Sequence, residues 1–83
     1  MNAKRMFELV NYELMLDTED KLEYEHKIYP YTIYFNKRTM DICKYARKPM
    51  TFNFECMVLP EVISYLELQA INQQVEELGW NYD

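Results

Sequence analysis

The strongest constraint on this chain lies near its C-terminus, in residues 64–80, SYLELQAINQQVEELGW. Ser64 with Glu67 three residues on has the form of a capping box, in which each side chain meets the other's backbone amide. Leu68, Ile71, Val75 and Leu78 then recur at spacings of three, four and three. At 3.6 residues per turn they share one stripe. Gly79 stands where a left-handed residue commonly closes a helix, and Trp80 and Val75 occupy the pair that touches in a Schellman ending. Start, stripe and stop agree on a helix over 64–78. On that wheel Leu66, Ala70, Gln73 and Glu77 point away from the stripe. Val62 and Ile63 are also out of phase with it, so 60–63 reads as extended chain entering the helix. Glu76 and Glu77 fall in the last turn, where the helix dipole disfavours carboxylates by only about 0.3–1 kcal/mol. They read as solvated charges.

A helix with one apolar stripe needs a second layer to cover it, and the rest of the chain has the period of a sheet. Asn2 can cap a first helix of about two turns, with Met6, Phe7 and Val10 on one face and Asn11, tolerant of the left-handed region, at its end. From Tyr12 the period changes to two. Tyr12, Leu14 and Leu16 alternate with Glu13, Met15 and Asp17. Residues 18–20 form a turn. Leu22, Tyr24, His26 and Ile28 alternate with Glu23, Glu25 and Lys27. Tyr29-Pro30 breaks that strand. Tyr31, Ile33 and Phe35 form the next apolar face, 36–39 a second turn, 41–46 a further strand, 47–49 a loop. Phe52, Phe54, Cys56 and Val58 give one face of a fifth strand. Short strands joined by short turns imply an antiparallel meander. The expected fold is α+β: a four- to five-stranded antiparallel sheet packed on the C-terminal helix, with a short N-terminal helix on the same face or at one edge.

Eighty-three residues form one domain, 1–83. A chain of this size buries roughly 60% of its unfolded surface, enough for one modest core. No apolar run approaches the roughly 20 residues of a membrane span, and the opening residues do not read as a signal peptide. A cytoplasmic protein without membrane contact is expected. Cys43 and Cys56 fall inside strand-like segments and read as two free, buried thiols. A disulfide between them requires neighbouring strands in register.

Charge is segregated. Residues 13–25 carry six acids against Lys21, and residues 26–50 carry six bases against Asp41. The overall charge is −5, which argues against non-specific nucleic-acid binding. Pairing between neighbouring hairpins is the expected use of the segregation, with a dipolar surface for a partner as the alternative.

Most catalytic templates fail. The chain has no Gly-rich phosphate loop, no CxxC and no histidine pair at metal spacing. The acids of 13–25 lack the glycine and terminal glutamate of a calcium loop. His26, the single histidine, is in phase with Leu22 and Tyr24 and reads as a packed strand residue. A Cys–His pair has no local support. No cofactor, no metal and no enzymatic activity are expected. The eight tyrosines are the more unusual feature. Some belong to the core, since tyrosine suits a half-buried sheet; the remainder are candidates for contact surface, where tyrosine supplies amphipathic area at low entropy cost. Tyr34 and Tyr45, opposite the expected core face, are the candidates, together with the acids Glu19, Asp20, Glu23 and Glu25. Leu66 either packs on 57–63 or touches a partner or a second copy.

The tail ELQAINQQVEELGW and the opening MNAKRMFELVNYE resemble small uncharacterised proteins of phages and prophages of Gram-positive bacteria. The resemblance covers the two ends, about a third of the chain. Asn11 stands where such proteins often carry glycine, a mild departure because both accept the helix-ending geometry. The resemblance implies no catalytic residue. It implies a non-structural accessory protein that binds and inhibits a host factor, with an anti-defence role of the anti-CRISPR type as its concrete form. The expected partner is a host protein. The other readings are a homo-oligomer, a dimer in its simplest form, that sequesters a small anionic ligand such as a nucleotide, and a weak nucleic-acid binder using 29–50.

Overall fold

The computed structural model describes residues 1–47 and 62–80. The expected strand at 51–58, with Cys56 and the cysteine pairing, lies outside the described residues, as does Tyr82. The described chain runs α1 (Ala3–Leu9), β1 (Tyr12–Asp17), β2 (Lys21–His26), β3 (Tyr31–Asn36), β4 (Asp41–Ala46) and α2 (Tyr65–Glu77). The four strands form an antiparallel meander in the order β1-β2-β3-β4. Both helices pack on one face of it. The α+β architecture is therefore the one the sequence implies.

Local chemistry sets the ends of each element. Asn2 Oδ1 accepts the Arg5 amide at 2.8 Å and starts α1. Asn11, at φ 68°, ends it and turns the chain into β1. In α2 the Glu67 amide donates to Ser64 Oγ at 3.1 Å, as the capping box requires, but the return bond differs from the expected one: the Glu67 carboxylate accepts the Ser64 hydroxyl at 3.2 Å in place of the Ser64 amide. The far end is a Schellman motif: Trp80 N donates to Val75 O, Gly79 N donates to Glu76 O, and Gly79 has φ 74°. In the β1–β2 turn Thr18 Oγ1 accepts the Asp20 and Lys21 amides. In the β3–β4 turn Asn36 Oδ1 accepts those of Arg38 and Thr39, and Met40 closes the turn at φ 61°.

The core is an aromatic cluster centred on Phe7. Its ring stacks on Tyr24 at 3.9 Å and meets Tyr12 and Phe35 edge-on at 5.9 and 6.2 Å. Among the described residues, Leu22, Tyr31 and Ile33 from the sheet, and Ala3, Ala70 and Ile71 from the helices, are buried with them. Trp80 reaches Phe35 across the end of α2.

Four expectations need correction. First, α2 is rotated from the expected stripe. Ala70, Ile71 and Gln74 are its buried residues, whereas Leu68 is 45% exposed. The polar Gln74 is held inside because its Oε1 accepts the Tyr24 hydroxyl at 2.7 Å. Glu77 does not point away but accepts the Ala3 amide at 2.7 Å, capping the first turn of α1. Second, β1 bulges between Leu14 and Leu16, so Leu16 pairs with Glu23 and leaves the face of Tyr12 and Leu14. Third, β2 stops at His26, and Ile28 is 69% exposed. The ring nitrogen of His26 draws the chain into a turn there. Fourth, Cys43 lies in β4 but is exposed.

Candidate functional site

The register divides the sheet into two faces. Tyr12, Leu14, Tyr24, Ile33 and Phe35 point to the helices. The opposite face is built of the cross-strand rows Glu13–Glu25–Thr32–Tyr45 and Leu16–Glu23–Tyr34–Cys43, with Lys21–Asn36–Asp41 at the turn end. Among the described residues no element covers this outer face. It thus brings together four of the residues singled out from the sequence: Glu23, Glu25, Tyr34 and Tyr45. Tyr45 is 41% exposed, and Tyr34 is half-buried between Glu23 and Cys43. Glu19 and Asp20 sit beside this face in the β1–β2 turn. Leu66 does not join it. Leu66 belongs to the first turn of α2, on the helix side, where it is exposed with Val62, Ile63, Tyr65 and Leu68.

The electrostatics of the face are uneven. Glu13 stands directly opposite Glu25, a like-charge pair that is unfavourable by a few tenths of a kcal/mol, roughly. Arg47, just past β4, lies 3.8 Å from Glu25 and offsets it. The Arg47 guanidinium also donates to Thr32 Oγ1 and to the carbonyls of His26, Tyr29 and Tyr31. That canopy explains why Thr32, on the outer face, is nevertheless buried. Away from Arg47 the face carries the carboxylates of Glu13 on β1 and Glu23 on β2, two phenols on β3 and β4, and Lys21 and Asp41 at its turn end.

The basic third of the chain is mostly spent internally. Lys37 pairs with Asp17 at 2.8 Å and Arg38 with Asp20 at 2.7 Å, tying the two hairpin turns together. Of the two acids in the turn, Asp20 is therefore engaged, and Glu19 has no partner among the described residues.

Lys44 is the residue that sequence reasoning missed. It shares the parity of Ile42, so it points to the helix side of β4. Its Nζ donates to Glu67 Oε1 at 2.8 Å and to the Val62 carbonyl at 2.6 Å, and lies 4.7 Å over the Tyr31 ring. The Tyr12 hydroxyl donates to the same Glu67 oxygen at 3.3 Å. Burial, then the Glu67 charge and hydrogen bond, raise the Tyr12 pKa well above the ordinary phenol range. Burial, then the charge of Glu77, does the same for Tyr24. Neither phenol ionises near neutral pH. The Lys44–Glu67–Tyr12 group fastens β4, β1 and α2, and every member of it is hydrogen-bonded. The available signal was the capping glutamate itself, whose side chain faces β4 once the stripe is correctly rotated.

His26 is a packed residue, as its phase implies. Its ring meets Tyr12 edge-on at 4.9 Å, and Nδ1 accepts the Ile28 and Tyr29 amides, both at 3.1 Å. Burial is the largest influence on its pKa and brings it below 6.5; the Glu67 charge, next in size, raises it, and the charges of Lys44 and Arg47 lower it. Among the described residues no group of histidine, cysteine, aspartate and glutamate side chains could hold a metal ion. No described helix is long and apolar enough to cross a membrane. No family model, curated protein or solved structure matches the chain.

Proposed function

We propose that the chain acts by binding a protein partner through the outer face of its sheet, and that it carries out no chemistry of its own. One observation carries the reading. A four-stranded sheet has both helices on one side and, on the other, a face with Tyr34, Tyr45, Leu16 and Cys43 beside the carboxylates of Glu13, Glu23 and Glu25. Tyrosine in such a surface provides contact area with little entropy loss. The carboxylates favour a partner whose docking surface is basic. Nucleic acid and small anions are disfavoured, because Lys37, Arg38, Lys44 and Arg47 each already face a carboxylate.

The resemblance of the two ends to phage and prophage proteins gives this reading its biological form: an accessory protein that occupies a host factor, with inhibition of a nucleic-acid-processing defence enzyme as the specific version. A defence enzyme that grips nucleic acid presents the basic groove that an acidic, tyrosine-bearing sheet complements.

The test is comparative capture from a Gram-positive host lysate. The wild-type chain is set against Tyr34→Ser/Tyr45→Ser, Glu23→Gln/Glu25→Gln and a helix-side control, Leu66→Ser. Affinities for the captured protein are then measured singly. The proposal expects each outer-face variant to weaken binding at least tenfold while the control does not. Equal affinity for all four chains, or loss only with Leu66→Ser, overturns it. Retention of a small anionic molecule by an oligomer would favour sequestration instead.

A further inference from the structure

The turn between β2 and β3 is held in an unusual way. His26 Nδ1 is the acceptor for two consecutive backbone donors, the amides of Ile28 and Tyr29, each at 3.1 Å. Two N–H groups aimed at one ring position require an unprotonated nitrogen there, so the ring is neutral and its proton is on Nε2. The rest of the turn is fixed independently. Lys27 N donates to Asn11 O, Arg47 N donates to Pro30 O, and the Arg47 side chain donates to the Tyr29 carbonyl. The side chains the turn displays are apolar: Ile28 is 69% and Tyr29 49% exposed.

We propose that His26 is a proton-operated latch on the β2–β3 turn: the neutral ring holds the Ile28 and Tyr29 amides, and protonation at Nδ1 releases them and loosens the exposed Ile28-Tyr29 corner. A protonated Nδ1 becomes a donor facing two donors. The ring must then rotate or residues 27–29 must move away from it. Neither change dismantles the domain, because the Arg47 and Asn11 contacts do not involve the imidazole.

The surroundings decide where the latch works. From β1 the ring meets the Tyr12 phenol, which keeps its proton, and from the turn itself Tyr29 at 5.3 Å. From α2 the Glu67 carboxylate favours the protonated ring. From β4 and its end Lys44 and Arg47 oppose it. From β3, Tyr31 contributes its ring beneath Lys44. Glu67 is itself occupied by Lys44 at 2.8 Å, and burial, with the two cations behind it, outweighs the Glu67 charge, so the latch stays closed at neutral pH. It opens on acidification. The latch does not rest on the proposed binding role of the outer face.

The experiment is an NMR titration of the whole chain from pH 7.5 downward. It follows the His26 ring proton Hε1 together with the Ile28 and Tyr29 amide shifts and their hydrogen-exchange protection, corrected for intrinsic rates. The expected result is a common midpoint below 6.5 and a loss of protection of roughly five- to tenfold at those two amides, the size of one net hydrogen bond each. The Lys27 amide, held by Asn11, should change far less. His26→Asn, whose side-chain oxygen can accept in place of Nδ1 without titrating, should abolish the pH response. The latch is refuted if the imidazole titrates while the two amides stay put. It is equally refuted if His26→Asn keeps the response, or if the chain unfolds globally before the ring takes up a proton. The wild-type titration decides the matter alone should the variant fail to fold.

Discussion

Replacing Lys44 with methionine removes the positive half of a pair that is largely enclosed: the Lys44 side chain is 8% and that of Glu67 15% exposed. Methionine keeps the length and most of the apolar contact with Tyr31. What it leaves behind is the Glu67 carboxylate, still bonded to the Ser64 and Tyr12 hydroxyls but without its cation. Stranding one charge of a buried pair costs about 3–5 kcal/mol. A domain of 83 residues has a total stability of roughly 4–12 kcal/mol. Lys44→Met should therefore shift the urea midpoint strongly and bring the domain close to unfolding. Glu67→Gln added to it removes the stranded charge while its amide oxygen can still accept from Tyr12. The double variant should recover roughly 1–3 kcal/mol relative to Lys44→Met, because neutral replacements of buried pairs are often tolerated. Urea titrations followed by circular dichroism and by the fluorescence of Trp80, the single tryptophan, measure all three. A Lys44→Met loss under about 1 kcal/mol, the range of a solvent-screened surface pair, would refute the reasoning. So would a double variant no more stable than that single one.

Smaller perturbations follow from the other termini and turns. Gly79→Ala places a Cβ in open space but at φ 74°, so the loss of about 1–2 kcal/mol should come from the backbone alone, and Gly79→Asn should lose less. Met40→Gly relieves a φ of 61° and should leave stability unchanged or raise it by up to about 1 kcal/mol, read from the urea midpoint. Glu77→Ala frees the Ala3 amide and should destabilise the domain by about 1 kcal/mol, with exchange at Ala3 accelerated. His26 has a depressed pKa in the folded chain. Its stabilising contribution is thus complete above 6.5 and declines as pH falls from there through the lower folded value. The stability difference between wild type and His26→Asn should shrink or reverse from pH 7.5 to 5.5.

The sequence made some parts of this fold legible because their signals are local. The Ser64 cap, the Gly79 stop, the Asn2 cap and the left-handed Asn11 each depend on a few neighbouring residues, and each appears in the structure as expected. The alternation of β2 and β3 located their core faces for the same reason. What escaped depends on partners distant in sequence. The rotation of α2 is set by Tyr24, fifty residues away, whose hydroxyl holds Gln74 inside. Glu77 could not be recognised as a cap without knowing that Ala3 lies against it, 74 residues away. The bulge that turns Leu16 outward leaves no mark in a stretch, Leu14-Met15-Leu16, that is apolar at every position. For the candidate surface, parity placed Tyr34 and Tyr45 on one side, and the meander put Glu23 and Glu25 with them. The charge segregation was resolved mainly by pairing between hairpin turns. Its other use, the carboxylate pair Glu13–Glu25, became visible only with the register in hand.

The central claim is that the outer face of the sheet meets a protein partner. The most direct test is photo-crosslinking inside a Gram-positive host, with benzoylphenylalanine placed at position 45 in one chain, 34 in a second and 66 in a third. The account predicts one discrete adduct of the same host protein from positions 45 and 34, and none from 66. Adducts confined to position 66, or none from the sheet positions while the chain remains folded, would contradict it.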